Sequence, residues 1–188
     1  MPRAAVPTTQ PTAAPERLEA WLPKPAIRTR HRRASTASPE ALWAAAQEVR
    51  LSDTRALGRL IRWRIPGTPP ELPYAELFAR APFVVLQDGP GWSVSGLCGR
   101  IWTLTRDYPE LRDLAAFLDW DVAGTVRVAF AHWVEETDGG TALCSEARVQ
   151  PVDARASFRL RPLWLAVGPF ERLIGAEPLA LANARATA

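Results

Sequence analysis

The chain has 188 residues, of which 47% are hydrophobic, and its eight tryptophans are typical of a globular protein with a buried core. Its 23 basic and 20 acidic residues leave a net charge of +3, and Lys24 is the single lysine among the basic residues. So small an excess excludes the strong positive field of a typical nucleic-acid-binding protein, and we predict no nucleic-acid partner.

Metal, redox and membrane signals are weak in this sequence. Cys98 and Cys144 form no CxxC or Cys/His pattern, so we predict no metal and no cofactor, and two buried thiols are favoured over a disulfide. The N-terminus lacks the apolar segment of a signal peptide, and no apolar run reaches the length of a membrane span. These features predict a cytoplasmic protein without stable membrane insertion.

The first part of the chain predicts a disordered leader followed by a strand. Residues 1–16 are rich in proline and alanine, and we expect them to precede a single domain at residues 17–188. Residues 27–35 predict a strand with Arg28, Arg30 and Arg32 on one face. That row is compatible with a phosphate-binding stripe, but a solvated face is favoured because no aromatic residues alternate with the arginines.

Helices and a first hairpin are predicted next. A helix start is indicated by Ser38, Pro39 and Glu40, and we expect this helix at residues 39–49. A second helix is expected at about 53–63 and a short one at about 75–79. Residues 83–88 and 92–104 predict two strands, with Gly96 and Gly99 indicating a bulge or a close backbone approach. Residues 109–118 predict either a helix or an ordered loop.

The second hairpin is the clearest local signal. Residues 125–136 and 140–150 flank an Asp-Gly turn, and pairing Thr137 with Gly140 places His132 opposite Ser145. One face of this hairpin is then apolar and becomes the predicted inner face. The other face carries Arg127, Trp133, Glu135, Glu146 and Arg148, which predicts an exposed ladder of charge pairs.

The last segment, residues 153–184, has large apolar side chains at helical spacing and needs a concave partner to cover them. They are Phe158, Leu160, Leu163, Trp164, Val167, Phe170, Leu173 and Ile174. Gly168-Pro169 is expected to kink or divide this helix. The element order predicts an α+β fold in which a curved antiparallel sheet wraps around the long C-terminal helix and leaves a wedge between them.

Several short motifs, in this order, resemble the SRPBCC superfamily, which has the helix-grip fold of START domains and polyketide cyclases. The likeness is greatest to small bacterial members of unknown function and covers about residues 18–184. It rests on the helix start Ser38-Pro39-Glu40 directly after the first strand and on residues 18–23, 65–67, 96–102, 145–149 and 153–158. Ser145, Ala147 and Pro162 depart from the usual pattern. The resemblance implies a hydrophobic cavity between sheet and helix, without a known activity.

The candidate site lies on the inner face around His132 and Ser145. These two residues form either the start of a nucleophilic pair or a polar pair that hydrogen-bonds a ligand, and the second interpretation is favoured because no Gly-x-Ser-x-Gly motif or orienting carboxylate is evident. No catalytic residue is therefore assigned. The aromatic residues either line a pocket or fill the core. The predicted ligand-cavity residues are Trp43, Trp102, Val128, Phe130, His132, Ser145, Val149 and Trp164.

Three functional hypotheses remain open at this stage. The preferred one is a binding protein whose partner is a small apolar molecule or a lipid. The second is a cyclase- or hydrolase-like enzyme that uses His132. The third is an interaction protein acting through its arginine-rich surface and proline-rich leader. The sequence does not determine the ligand or the oligomeric state.

Overall fold

A computed structural model describes residues 14–103, 108–137 and 139–188. Most of the predicted leader, the last residue predicted for the second strand (Leu104) and Asp138 of the hairpin turn lie outside the described residues. The helices are α1 (Ala14–Trp21), α2 (Pro39–Glu48), α3 (Leu57–Arg64), α4 (Tyr74–Leu77), α5 (Leu114–Leu118) and α6 (Ala154–Ala186). The strands are β1 (Ile27–Ser35), β2 (Val84–Gly89), β3 (Trp92–Gly99), β4 (Val126–Thr137) and β5 (Gly140–Pro151).

The five strands form one antiparallel sheet in the order β1-β5-β4-β3-β2. The predicted register of the second hairpin is confirmed, because Thr137 pairs with Gly140 and His132 pairs with Ser145. The first strand also has the predicted bounds. The sheet is curved and grips α6, so the α+β helix-grip fold predicted from the sequence is confirmed.

The inner face of the sheet packs against α6. Every second residue of β1, β5 and β4 points to this side, as the pleat of a strand requires. Ile27, Val128 and Val149 from the sheet form one buried cluster with Ala156 and Leu160 from α6. Burial of each large apolar side chain contributes roughly 1.5–3 kcal/mol, so this contact gives α6 the concave partner that its sequence requires.

The outer face differs from the prediction of an exposed charge ladder. Trp133, Glu146 and Arg148 are each only 2% exposed. Leu18 and Leu22, from α1 and the residues after it, and Phe117 from α5 pack on this face together with small residues of the sheet. The prediction was wrong because two short helices cover polar side chains that are paired with one another.

The second predicted helix begins later than its sequence indicates. A single 3₁₀ turn occupies Leu51–Asp53, and the α-helix starts only at Leu57. The Thr54 hydroxyl donates to the carbonyl of Leu51 and accepts from the amide of Gly58, which satisfies the backbone locally and competes with a continuous helix. The Glu177 carboxylate of α6 then accepts from the amides at the start of α3, at 3.2 Å from the Leu57 nitrogen.

Three other features also differ from the sequence-based expectations. Strand β3 ends at Gly99, where φ is +137°, instead of continuing to 104. The register shift that accompanies sheet curvature lies in β2 between Val85 and Gln87. Helix α6 is one undivided element through Gly168-Pro169, so this dipeptide does not divide the helix. The side chains of Val167, Phe170, Leu173 and Ile174 lie outside the described part of the chain.

Candidate functional site

A cavity of about 310 Å³, named here the inner cavity, lies between the inner face of the sheet and α6. Its apolar walls come from three strands and from the helix. Six of the eight predicted ligand-cavity residues line it: Val128, Phe130, His132, Ser145, Val149 and Trp164. Ile27, Leu160 and Leu163 complete much of the apolar lining.

The other two predicted residues lie elsewhere. Trp43 of α2 lines a second cavity of about 290 Å³, named here the end cavity, which is also bounded by Phe78, Leu143 and Leu179. Trp102 packs beside the buried cluster around Leu97 and Val126 and is not a lining residue of either cavity. A larger hollow of about 480 Å³ near Pro82 and Tyr108 contains none of the predicted residues.

A row of polar side chains crosses the inner face at a single register position. His31 of β1 pairs with Ser145 of β5, and Ser145 pairs with His132 of β4. The row continues through Ser93 of β3 to Asp88 of β2. Neighbouring strands are about 4.8 Å apart, so the row spans the width of the sheet and joins the inner cavity to the end cavity.

His132 and Tyr74 stand between the two cavities, because both side chains line both of them. The Nε2 atom of His132 is 3.2 Å from the hydroxyl oxygen of Tyr74, and the tautomer determines which of the two donates. The imidazole ring centre is also 4.9 Å from that of Phe78 and 5.4 Å from that of Tyr74. This hydrogen bond therefore forms part of the wall that separates the cavities.

The surroundings of His132 keep it neutral. Its side chain is only partly exposed because Tyr74 and Phe78 pack against the ring, and desolvation lowers its pKa from 6.5 to about 4. Burial likewise raises the pKa of the Tyr74 phenol well above its ordinary value of 10. At neutral pH the pair therefore presents an uncharged imidazole and an uncharged phenol to the cavities.

This arrangement does not have the geometry of an activated nucleophile. Although Ser145 is opposite His132 in the sheet, the described contacts join His132 to Tyr74 and include no hydrogen bond between His132 and Ser145. None of the described carboxylates is hydrogen-bonded to His132 to orient its imidazole, as a catalytic triad would require. The row can instead hydrogen-bond a polar group on a molecule that fills the apolar part of the cavity.

Sequence reasoning missed Tyr74 and His31. The predicted short helix began at residue 75, which left Tyr74 in a loop, whereas Tyr74 is the first residue of α4. His31 lies in a strand dominated by arginines, but it follows Ile27 and Thr29 at a spacing of two, and that alternation places it on the inner face. The period of the strand was thus the available signal.

The described residues include no cluster of three or more His, Cys, Asp or Glu side chains that could hold a metal ion. Cys98 and Cys144 are both buried and free. Among the helices that the structure describes, none has the length and apolar character needed to cross a membrane.

No protein-family model matches the chain, and no curated protein matches it in sequence. Among solved structures, protein MLL2253 from Mesorhizobium loti is 14% identical with a TM-score of 0.37, and the match covers 82% of this chain and 96% of that one. The KanY protein is 14% identical with a TM-score of 0.35, over 86% of this chain and 98% of that one.

The di-domain ARO/CYC StfQ from the steffimycin biosynthetic pathway is 12% identical with a TM-score of 0.34, and the match covers 86% of this chain and 50% of StfQ. Similarities at these TM-scores carry no argument about function. The fold is instead established by the chain's own topology: a helix-grip α+β arrangement with a cavity between its sheet and its last helix.

Proposed function

We propose that this chain is a binding protein of the SRPBCC superfamily, with a single domain that holds a small apolar or lipid-like molecule in the inner cavity. The observation that carries the proposal is a mostly apolar cavity crossed by one row of polar side chains. Its volume of about 310 Å³ is equivalent to roughly ten water molecules and falls at the lower end of the range of small-molecule sites.

The lining suggests how such a molecule is held. The apolar body of the ligand would lie against Val128, Leu160 and Trp164, where it replaces water on apolar surface. Its polar end would meet Ser145 and the neutral imidazole of His132. Buried polar groups need hydrogen-bonding partners, so the row favours a ligand with a hydroxyl or carbonyl group at that end.

The experiment is a titration with a neutral hydrophobic dye such as Nile red, combined with native mass spectrometry of the purified full-length chain. We expect saturable binding at a single site. Ala147→Leu adds side-chain volume inside the inner cavity and should weaken binding about tenfold or more. Ala34→Leu makes the same change at an exposed position of β1 and should leave binding unchanged.

A folded wild-type chain that shows neither saturable dye binding nor a co-purifying molecule would disprove the proposal. If Ala147→Leu and Ala34→Leu weaken dye binding equally, the dye does not bind in the inner cavity. Circular dichroism and a thermal melt of each variant establish that the comparison is made on folded protein.

The second candidate function is a cyclase- or hydrolase-like enzyme, which is favoured by the alignment of His31, Ser145 and His132 in one row. The protonation of His132 argues against it, because a general base works best with a pKa near the operating pH, whereas the pKa of His132 is lowered to about 4. The test is hydrolysis of an aryl ester. We expect no turnover above the buffer rate, and turnover lost in His132→Ala would favour the enzyme instead.

A further inference from the structure

Two helices that bound the inner cavity carry large apolar side chains on their solvent sides. Leu60 and Trp63 of α3 are 38% and 65% exposed, and Phe158 and Leu165 of α6 are 73% and 80% exposed. Soluble proteins rarely leave a tryptophan and several large apolar residues of neighbouring helices in water without a partner. These four side chains, together with the arginines described below, are named here the α3–α6 surface.

The two helices are held beside the same cavity. Leu60 of α3 lines the inner cavity together with Leu163 and Trp164 of α6. The Glu177 carboxylate of α6 accepts hydrogen bonds from the backbone amides of Ala56 and Leu57, both at 3.2 Å, and so fixes the start of α3. Trp63 follows Leu60 by one helical turn, and Leu165 directly follows Trp164. The exposed apolar groups are therefore carried by the same two helices that line the cavity, and Leu60 both lines it and is itself 38% exposed.

The charge on these segments has one sign. The sequence of α3 contains arginines and no acidic residue, and the same is true of residues 154–170 of α6. Arg59, Arg62, Arg159 and Arg161 are exposed. The described contact of the Arg62 guanidinium is to the carbonyl of Gly58, and so the charge is not neutralised by an acid there.

We propose that the α3–α6 surface docks this protein on an anionic phospholipid bilayer. Tryptophan and leucine side chains partition into the interfacial layer of a membrane, while guanidinium groups bind lipid phosphates in a bidentate manner. A short amphipathic helix with this composition lies in the interface and does not span the bilayer. Docking at this position places α3 and α6, which also line the inner cavity, against the lipid layer. The proposal does not depend on what the cavity holds.

The experiment is co-sedimentation of the full-length chain with vesicles of phosphatidylcholine, either alone or partly replaced by phosphatidylglycerol. We expect binding to the anionic vesicles at low salt and its loss at high salt, because screening weakens the attraction of arginines to the surface. Trp63→Ser should lower the partition coefficient about tenfold. The double variant Arg59→Gln/Arg62→Gln should lower it roughly thirtyfold.

Matched controls make the same changes elsewhere. Val122→Ser removes an apolar residue that is 44% exposed in the loop before β4, and Arg33→Gln/Arg112→Gln removes two exposed arginines outside α3 and α6. Both controls should bind as the wild type does. All the substituted residues are exposed, and unchanged thermal melts verify that the variants remain folded.

Three results would overturn the proposal. They are absence of binding to anionic vesicles at low salt, equal binding to neutral vesicles, and equal losses in the variants and their controls. A concentration-dependent increase in mass that disappears in Trp63→Ser, without vesicle binding, would assign the surface to a second copy of the chain. Dye binding in the inner cavity is measured without vesicles, so failure of the docking proposal and failure of the proposed ligand site are distinguishable.

Discussion

The neutral state of His132 follows from its position between two cavities. Tyr74 and Phe78 enclose its ring, and the hydrogen bond to Tyr74 can be made by an uncharged imidazole. A proton added to this ring would place a charge where little water can solvate it, which is the reason that desolvation lowers its pKa to about 4. In the unfolded chain the imidazole of His132 is exposed to water and has its ordinary pKa of 6.5.

This difference predicts how stability depends on pH. Between pH 6.5 and about 4 the unfolded chain binds a proton at His132 and the folded chain does not, so the free energy of unfolding decreases as the pH falls through this window. The full effect is about 3 kcal/mol. Urea unfolding of the wild type and of His132→Gln at pH 7 and pH 4.5 measures most of this effect, and the variant should show the smaller decrease in the free energy of unfolding.

Other groups contribute to acid sensitivity in both proteins and cancel in the comparison. Desolvation raises the pKa values of the Asp53 and Glu135 carboxyl groups, but hydrogen bonds and neighbouring arginines together lower them below their ordinary values. Backbone hydrogen bonds lower the pKa of Asp153, so all three residues also lose stabilising interactions at low pH. Their contribution is present whether or not residue 132 is a histidine. Parallel pH profiles of wild type and variant would contradict the assignment of a buried neutral imidazole.

At the level of elements, the distance between α6 and β1 is set by a glycine. A Cβ atom at Gly175 would lie 2.2 Å from Nε2 and 2.3 Å from Cδ2 of His31, well inside contact distance. Helix α6 can therefore approach the strand at this point only because residue 175 has no side chain. Both residues line the inner cavity, so this close approach also shapes its wall.

Moving the helix or the His31 ring should cost about 1–3 kcal/mol, and the gain in helix propensity of about 1 kcal/mol offsets part of it. Gly175→Ala should consequently reduce the free energy of unfolding by up to about 2 kcal/mol. Gly168→Ala in the same helix is the matched control. There the nearest atom to a new Cβ is on Trp164 at 3.3 Å, and the gain in helix propensity of about 1 kcal/mol offsets the tight contact. Urea unfolding measures both variants.

A double variant tests whether the His31 ring causes the loss of stability in Gly175→Ala. His31→Ala removes the ring that obstructs the new methyl group, so His31→Ala/Gly175→Ala should lose less stability than the sum of its two single changes. If the loss in the free energy of unfolding of the double variant equals the sum of the two single losses, the cost of Gly175→Ala does not come from the contact with His31.

The elements that sequence predicted well are those whose signals are local. The turn after Thr137 and the strict alternation of β4 and β5 determined the register of that hairpin, and Ser38 with Pro39 fixed the start of α2, where the Ser38 hydroxyl accepts from the Ala41 amide at 3.2 Å. Because that register places paired residues on one face, it also brought Val128, Phe130, His132, Ser145 and Val149 together, and all five line the inner cavity.

The elements that sequence predicted poorly depend on tertiary contacts. Glu146 and Arg148 have the composition of an exposed strand face, and only the covering by α1 and its neighbours makes them buried. The late start of α3 depends on Thr54 and on Glu177, which is distant in the chain. Tyr74 meets His132 only because α4 and the residue after it pack against β4, where Phe78 also contacts Phe130, and no short sequence pattern encodes that placement.

On the scale of the whole molecule, the sheet is a middle layer. Helix α6 covers its inner face, and α1 with α5 covers much of its outer face. In layered domains, each apolar face of a sheet must be covered by another element. Here the outer layer is joined to the sheet by an ionic network as well as by apolar contacts.

Arg148 is the centre of that network. Its Nε donates to Glu146 at 2.5 Å, and its terminal nitrogen atoms reach Glu19 of α1 at 3.2 Å and the backbone carbonyl of Leu22 at 3.5 Å. The side chains of Arg148 and Glu146 are 2% and 0% exposed. Arg28 of β1 adds a second contact to Glu146 at 3.1 Å. The network thus connects α1, β1 and β5.

Removing only one member of this buried pair should be far more costly than removing an exposed pair. Arg148→Met leaves the Glu146 carboxylate buried without its closest partner, and we expect a loss of about 3–5 kcal/mol. Glu146→Gln/Arg148→Met removes both charges and should recover a large part of that loss. Arg32→Met breaks a half-exposed pair with Glu135 and should cost only ~0.2–1 kcal/mol. Urea unfolding at neutral pH measures all three, and similar losses in Arg148→Met and Arg32→Met would show that the outer face is open to water.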